Sequence, residues 1–168
     1  MANAKKKAAT KKPVVKKTAK KTAVPAKTSS YSFTAKPAIE ITASFTDTIG
    51  LTAKVAAAVA AENVNILAAT GTSASTERRN ATFTLIVDDF AKAERALEKI
   101  GAEDIHESSI IMVETPNKVG ALEKIAKLIA GAGINIYYFY ATTSSGKTAT
   151  SVIKTADDKK AMAVLRAG

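Results

Sequence analysis

An internal repeat with a period of 70 residues restricts the fold of this 168-residue chain more than any other feature. Shifting the sequence by 70 positions places Asp47-Thr48-Ile49-Gly50 on Asn117-Lys118-Val119-Gly120. The same shift places Val64-Asn65-Ile66 on Ile134-Asn135-Ile136, and no gap is needed. Self-similarity at a fixed period is the signature of a duplicated structural unit. The sequence therefore predicts two copies, residues 38–107 and 108–168, of which the second is about nine residues shorter.

Each copy carries the same order of strand and helix patterns. Apolar and polar residues alternate from Ile39 to Phe45, which is typical of a half-buried strand, and copy two begins with an apolar run at 110–113. A helix is predicted next, over 51–62 in copy one. In copy two its apolar face consists of Leu122, Ile125, Leu128, Ile129 and Ala132. Two further strands follow (65–69 and 81–87; 135–140 and 148–154), and then a second helix whose N-cap is predicted within Asp88-Asp89 or Asp157-Asp158.

The order is therefore βαββαβ, twice, which predicts an α+β protein made of two tandem ferredoxin-like modules. Copy one has residues for a fourth strand at 103–107, whereas copy two ends just after its second helix and lacks this last strand. The resulting open edge would expose unpaired N–H and C=O groups. We favour pairing of this edge with another chain, in a homodimer. The alternative is that residues 103–113 serve both sheets within one chain.

A strand, an Asp/Asn-x-x-Gly loop, a helix and an Asn-Ile pair that begins fifteen residues after the Gly together resemble the ACT domain. The resemblance covers about 130 residues and occurs twice in register. It implies a regulatory protein of the tandem ACT group, without an attached enzyme, that binds a small ligand where ACT modules meet. The implied ligand is an amino acid.

The resemblance also implies which residues form the ligand site. In the serine-binding ACT module of phosphoglycerate dehydrogenase, polar side chains stand three residues before the loop Gly and fifteen after it. Phe45 and Thr115 stand where that module has a His, so the resemblance implies ligand binding without specifying serine. The loops and asparagines at these positions are Asp47, Thr48, Ile49, Gly50, Leu51 and Asn65 in copy one, and Asn117, Lys118, Val119, Gly120, Ala121 and Asn135 in copy two.

The chemistry of these loops suits an amino acid. Amide N–H groups at a helix N-terminus favour a carboxylate, and glycine lets the backbone approach a ligand closely. Asp47 could accept a hydrogen bond from an ammonium group, and Asn117 can donate or accept. The competing interpretation is structural: Asp47 and Asn117 only cap helices, and Asn65 and Asn135 only satisfy strand-edge groups.

Nearly all of the excess positive charge lies in residues 1–37, which carry eleven lysines and no acidic residue. The remainder has 14 basic and 15 acidic residues, since the chain contains 25 and 15 in total. Mutually repelling lysines, small apolar residues and three prolines predict a disordered arm. It is either a solubilising tail or a nucleic-acid contact, in which lysines bind phosphates; a mitochondrial transit peptide is disfavoured because the arm lacks Arg. The lysines of a nucleic-acid contact would be Lys5, Lys6, Lys7, Lys11, Lys12, Lys16, Lys17, Lys20 and Lys21.

Several classes of function are excluded or disfavoured by residue types. The chain has no Cys, so disulfides and thiolate catalysis are excluded, and its single histidine, His106, cannot build a multi-histidine metal site. His106 is predicted to be a surface residue. The P-loop-like end Ser144-Ser145-Gly146-Lys147-Thr148 lacks its first glycine and falls in a hairpin. We therefore expect no catalytic residues, no metal and no cofactor, and a cytoplasmic protein without a membrane span.

Four consecutive aromatic residues, Tyr137-Tyr138-Phe139-Tyr140, occupy the second strand of copy two. Alternation along a strand sends two of them to each face of the sheet. We expect one pair in the core, and the other pair either in ordinary sheet packing or in a dimer or ligand surface.

Overall fold

A computed structural model describes residues 33–73, 80–143 and 146–168. Residues 1–32 of the predicted arm and the hairpin residues Arg78 and Arg79 lie outside this range. None of the described helices is long and apolar enough to cross a membrane. In chain order the elements are β1 (Thr34–Thr46), α1 (Leu51–Ala61), β2 (Ile66–Ser73), β3 (Asn80–Val87), α2 (Phe90–Lys99), β4 (Glu103–Pro116), α3 (Ala121–Gly131), β5 (Ile136–Thr142), β6 (Thr148–Thr155) and α4 (Asp158–Ala167).

Local sequence signals explain where the helices begin and end. The carboxylate of Asp89 accepts a hydrogen bond from the Lys92 amide at 3.1 Å, and that of Asp157 accepts one from the Lys160 amide at 2.9 Å. Both are the side-chain caps expected at the starts of α2 and α4. Gly101, just after α2, has φ 88°, a left-handed conformation that ends helices.

The six strands form one antiparallel sheet in the order β2-β3-β1-β4-β6-β5. The two central strands are the longest, and each belongs to both modules. β4 joins the predicted fourth strand of copy one to the predicted first strand of copy two without a break. The α+β class and the βαββαβ modules predicted from the repeat are thus confirmed, with a single sheet running through both.

The missing strand of copy two is supplied by the start of β1. No strand follows α4 among the described residues, as predicted. In its place, Thr34 to Pro37 pair with Glu114 to Ile111 of β4, and the Arg166 side chain donates to the Ala35 carbonyl at 3.0 Å. The expectation that this edge pairs with another chain was therefore wrong. β1 begins at Thr34, four residues before the start of the predicted first module at Ala38.

All four helices cover one face of the sheet and enclose two hydrophobic cores. The first lies under α1 and α2 and includes Ile41, Val55 and Leu97; the second lies under α3 and α4 and includes Ala35, Ile125 and Leu165. β1 contributes to both, because Ala35 packs in the second core and Ile41 in the first. Between them, Ile39 is 45% exposed although alternation predicted it to be buried, since β1 there passes from one helix pair to the other.

Three further burial expectations were wrong. Leu122, predicted on the apolar face of α3, is 41% exposed in the first turn of the helix. No pair of the aromatic run is in the core, because β5 is an edge strand, and Tyr137, Tyr138 and Phe139 are all exposed. Conversely, Glu40 was assigned to the polar face of β1, yet only 1% of it is exposed.

Candidate functional site

The two predicted binding loops have the same backbone geometry. Gly50 and Gly120 precede α1 and α3 with φ values of 86° and 89°, in the left-handed region that favours glycine. Neither helix has a side-chain cap. The interpretation of Asp47 and Asn117 as helix caps was therefore wrong. The first amides of the two helices, those of Leu51 and Ala121, donate to the Thr48 and Lys118 carbonyls at 3.1 and 3.2 Å, and the next two amides of each helix have no acceptor within the helix.

Asp47 and Asn117 instead join their loops to the neighbouring hairpin. The Ser73 hydroxyl, at the end of β2, donates to the Asp47 carboxylate. Asn117 donates through its side-chain amide to the Gly146 carbonyl at 3.2 Å and approaches the Thr143 hydroxyl at 3.5 Å. Ser73 and Thr143 are equivalent in the repeat. Asp47 and its repeat equivalent Asn117 thus each link the loop before a helix to the end of the neighbouring strand.

In copy one this arrangement borders a cavity of about 800 Å³. Four of the predicted residues line it, namely Asp47, Thr48, Gly50 and Leu51. The rest of the wall comes from the first turns of α1, the end of β2 and the start of β3, where the lining residues are Thr52, Ala53, Ala56, Ala69, Thr70, Gly71, Thr72, Ser73, Ala81 and Phe83. An uncapped helix N-terminus, a carboxylate and several hydroxyl groups therefore border one space.

The second copy differs because larger side chains stand at the equivalent positions of β5. Ala69 and Gly71 of copy one correspond to Phe139 and Ala141 of copy two. The cavity beside α3 is about 280 Å³, is mostly apolar, and is lined by residues that include Leu122 and Phe139 but neither Asn117 nor Gly120. The predicted loop of copy one thus borders a large cavity, whereas the equivalent loop of copy two does not line the smaller cavity beside α3.

The structure does not bring the two predicted asparagines to these loops. Asn65 lies before β2 and Asp47 lies next to the far end of that strand, and Asn65 is absent from the lining of the large cavity. The Asn65 amide donates to Asp88 Oδ1 at 2.9 Å, and the Asn135 carbonyl accepts from the Ala156 amide at 2.9 Å. Both contacts use the backbone atoms of the asparagines. Ligand binding by the Asn65 and Asn135 side chains therefore stays a prediction.

The remaining loop residues are exposed. The Ile49 and Val119 side chains, equivalent in the repeat, are fully exposed at the two loop tips. Lys118 is exposed beside Val119, and Ala121 is buried as the first residue of α3. His106 lies on an exposed part of β4, as predicted. Within residues 33–73, 80–143 and 146–168, no cluster of three or more His, Asp or Glu side chains could hold a metal ion.

Structural comparison identifies solved structures that share this architecture. No family model matches the chain, and no curated protein matches its sequence. The structure is similar to protein BT0572 from Bacteroides thetaiotaomicron, with 25% identity and a TM-score of 0.70 over 79% of this chain and 89% of that one. The ligand-free regulatory subunit of aspartate kinase from Thermus thermophilus matches with 19% identity and a TM-score of 0.57 over 80% and 95% of the two chains. That from Thermus flavus matches with 22% identity and a TM-score of 0.54, over 83% and 94%.

The chain has the fold of an aspartate kinase regulatory subunit. The ACT-type architecture predicted from the repeat is thereby confirmed, because these chains match over most of their own length as well. At this level of identity the similarity describes the fold, and the site must be argued from the residues of this chain.

The sequence did not indicate three features of the cavity. The strand pattern predicts Ala69 within a strand and Gly71 and Ser73 in the hairpin loop that follows, and it does not indicate that Ser73 binds Asp47. A signal was present in the repeat itself, because both small residues correspond to larger ones, Phe139 and Ala141, in copy two. Comparing side-chain size across the two copies would have located the cavity.

Proposed function

We propose that this chain is a non-enzymatic regulatory protein that binds an amino acid in the cavity of copy one. The observation that supports this most directly is the meeting of an uncapped helix N-terminus and the Asp47 carboxylate at one cavity of about 800 Å³. A free amino acid carries a carboxylate and an ammonium group close together, and this cavity offers a complement to each.

The carboxylate of the ligand would be held by the first-turn amides of α1. The amides of Thr52 and Ala53 lack acceptors within the helix, and the helix dipole favours negative charge at this end. Gly50 carries no side chain to cover them, and no atom lies within 4 Å of where its Cβ would be. The ligand can therefore approach the backbone directly.

The ammonium group would be held by Asp47. Its carboxylate accepts one hydrogen bond from Ser73, and a carboxylate has further lone pairs for a second donor. The Ser73 contact orients Asp47 toward the end of β2, which lines the same cavity. Ala69, whose counterpart in copy two is Phe139, leaves room there for the side chain of the ligand.

A thermal-shift titration of the full chain with each of the twenty amino acids tests this proposal. A binding amino acid should raise the melting temperature by mass action. Asp47→Asn keeps a partner for Ser73 but removes the charge, and should weaken binding by about tenfold to a hundredfold. If no amino acid at millimolar concentration shifts the transition, the proposal is wrong.

A second pair of variants uses the repeat as its own control. Ala69→Phe introduces the residue that copy two carries at the equivalent position, and should abolish amino-acid binding by filling the cavity. Leu67→Tyr makes the same kind of exchange two residues away, where copy two has Tyr137. Leu67 does not line this cavity, so that variant should bind normally. Equal affinity in the two variants would argue against the site.

The charge distribution supports nucleic-acid binding as an alternative function of the same chain. Eleven of its 25 basic residues lie within residues 1–37, with no acidic residue among them. Filter binding of DNA and RNA at low and high salt would compare the full chain with one beginning at residue 33. A nucleic-acid contact predicts affinity that falls steeply with salt and is lost without the arm. Equal retention of both chains would exclude it.

A further inference from the structure

The face of the sheet opposite the helices is concave. Residues of β2 and β5, the two outermost strands, line one cavity of about 580 Å³ on this face, so the sheet is curled enough for its two edges to face each other. A second cavity of about 590 Å³ lies beside it. Tyr140 borders both cavities and therefore divides the space on the concave face in two.

The Tyr140 side chain also reaches Glu40 on the central strand β1, and the two groups share a hydrogen bond. Burial raises the pKa of Tyr140 to about 12, so its hydroxyl keeps its proton at neutral pH. β4 and β6 lie between the two strands, and in a flat sheet three strand spacings would separate β1 from β5 by about 14 Å. The curl of the sheet brings the two groups together, and their contact joins the edge strand to the centre of the sheet.

Glu40 is held firmly in a place that disfavours its charge. It is only 1% exposed, and its cross-strand neighbours are Ile86 on β3 and Ser108 on β4. Burial raises the pKa of its carboxyl group to about 7, although Lys154 and Tyr140 oppose this rise. A movement that lets water reach the carboxyl group is therefore favoured once its proton is lost.

The charged groups near Glu40 do not compensate for its burial. The Lys154 ammonium on β6 already donates to Asp158 Oδ2 at 2.8 Å. Lys36 on β1 and His106 on β4 lie farther along the same face, and both are exposed to solvent. The ionised carboxylate can therefore gain more from hydration than from a rearrangement of its neighbours.

Tyr140 is the neighbour of Glu40 that lies on a strand able to move. β3 and β4 are paired with strands on both sides, whereas β5 is paired only with β6 at the edge of the sheet. The three residues before Tyr140 on β5 are exposed. Tyr140 itself packs against the buried cluster of Ile86, Ile110 and Val152, so this side chain holds β5 against the concave face.

We propose that Glu40 and Tyr140 form a pH-controlled latch, which holds β5 against the concave face while Glu40 is protonated and releases the strand when Glu40 ionises. Release lets β5 move outward and separate from β6. It hydrates the carboxylate and removes the wall between the two cavities, so that the concave face opens as one space. The latch lies on the opposite face of the sheet from the proposed amino-acid site and does not depend on it.

Hydrogen–deuterium exchange of the full chain at pH 6.0 and pH 8.5, corrected for the intrinsic pH dependence of amide exchange, tests the latch. The latched carboxyl group has a pKa of about 7, and the released one should have its ordinary value of 4.5. Linkage then makes release about tenfold more favourable at pH 8.5 than at pH 6.0. Amides of β5 should exchange about tenfold faster at the higher pH, whereas those of β2, the equivalent edge strand of copy one, should not.

Three variants assign the effect to the latch. Glu40→Gln cannot ionise, so exchange of its β5 amides should lose the pH response. Glu107→Gln is the matched control at an exposed position of β4 and should keep the response. Tyr140→Phe removes only the hydroxyl and gives a second reading should Glu40→Gln fail to fold. Its β5 amides should exchange faster than those of the natural chain already at pH 6.0.

Three results would each overturn the proposal. The first is an equal response of β5 and β2 to pH in the natural chain. The second is a tenfold response that persists in Glu40→Gln. The third is β5 exchange in Tyr140→Phe that matches the natural chain at pH 6.0.

Discussion

Glu40 is the residue whose environment departs most from what its type implies. Alternation along β1 placed it with Thr42 and Ser44 on a polar face, yet that face is curled inward, where Ile86, Ile110 and Val152 form a third buried cluster. A period of two identifies which residues share a face but not whether that face is solvated. Burial of this carboxyl could therefore not be predicted from the strand pattern alone.

The raised pKa makes Glu40 a source of pH-dependent stability. Its folded-state pKa is about 7 against an ordinary value of 4.5, so the folded state holds its proton more tightly. The stabilisation is complete below pH 4.5 and is lost as the pH rises through 7. Lys154 and Tyr140, which face Glu40, are included in that shift. At pH 8 the ionised Glu40 carboxyl lowers the free energy of unfolding by on the order of 3 kcal/mol relative to pH 4.5.

Glu40→Gln should remove this dependence. Urea unfolding of the variant should show a free energy of unfolding that changes less between pH 5 and pH 8 than that of the natural chain. The variant should be the more stable protein at pH 8. Glu107→Gln, a matched control at an exposed position of β4, should leave the original pH dependence in place. Parallel pH profiles for the Glu40 variant and the natural chain would contradict the assignment.

β1 shows what a repeat can and cannot predict about an element. The in-register motifs indicated two βαββαβ modules, the Asp89 and Asp157 caps and the absence of a last strand in copy two, because these depend on local sequence. The pairing of residues 34–37 with β4, which replaces that last strand, is a long-range contact that local sequence does not indicate. Residues 34–37 also resemble the arm in composition. Likewise, the loops at Gly50 and Gly120 were predictable, whereas the cavity depends on side-chain size on β2 and β5.

Two shortened chains test the role of these four residues. A chain beginning at residue 33 keeps all of β1, whereas one beginning at residue 38 loses the pairing with β4, the buried Ala35 side chain and the acceptor for Arg166. We expect the shorter chain to be less stable by about 3 kcal/mol or more, from lost hydrogen bonds and apolar burial. Its amides at 111–114 should exchange faster with deuterium. Equal stability and equal protection would show that β4 does not need this strand.

The whole molecule still presents an unpartnered apolar surface after the missing strand is accounted for. Tyr137, Tyr138 and Phe139 are 62%, 39% and 53% exposed along the edge strand β5, where successive side chains point to opposite faces of the sheet. Adjacent exposed aromatic residues on an edge strand favour association. The homodimer predicted from the sequence therefore stays a prediction. The exposed aromatic residues of β5, and not an open edge of β4, are the surface that would mediate it.

We predict that this association depends on β5 and not on β2. Tyr137→Lys places a charge in the aromatic surface, and should shift sedimentation equilibrium at tens of micromolar toward monomer. Leu67→Lys is the matched control, because Leu67 is the equivalent residue of the repeat and is 53% exposed on the opposite edge strand. Tyr137 does not line the cavity beside α1, so its substitution leaves the proposed amino-acid site intact. A natural chain that sediments as a monomer, or two lysine variants that behave alike, would contradict the role of β5.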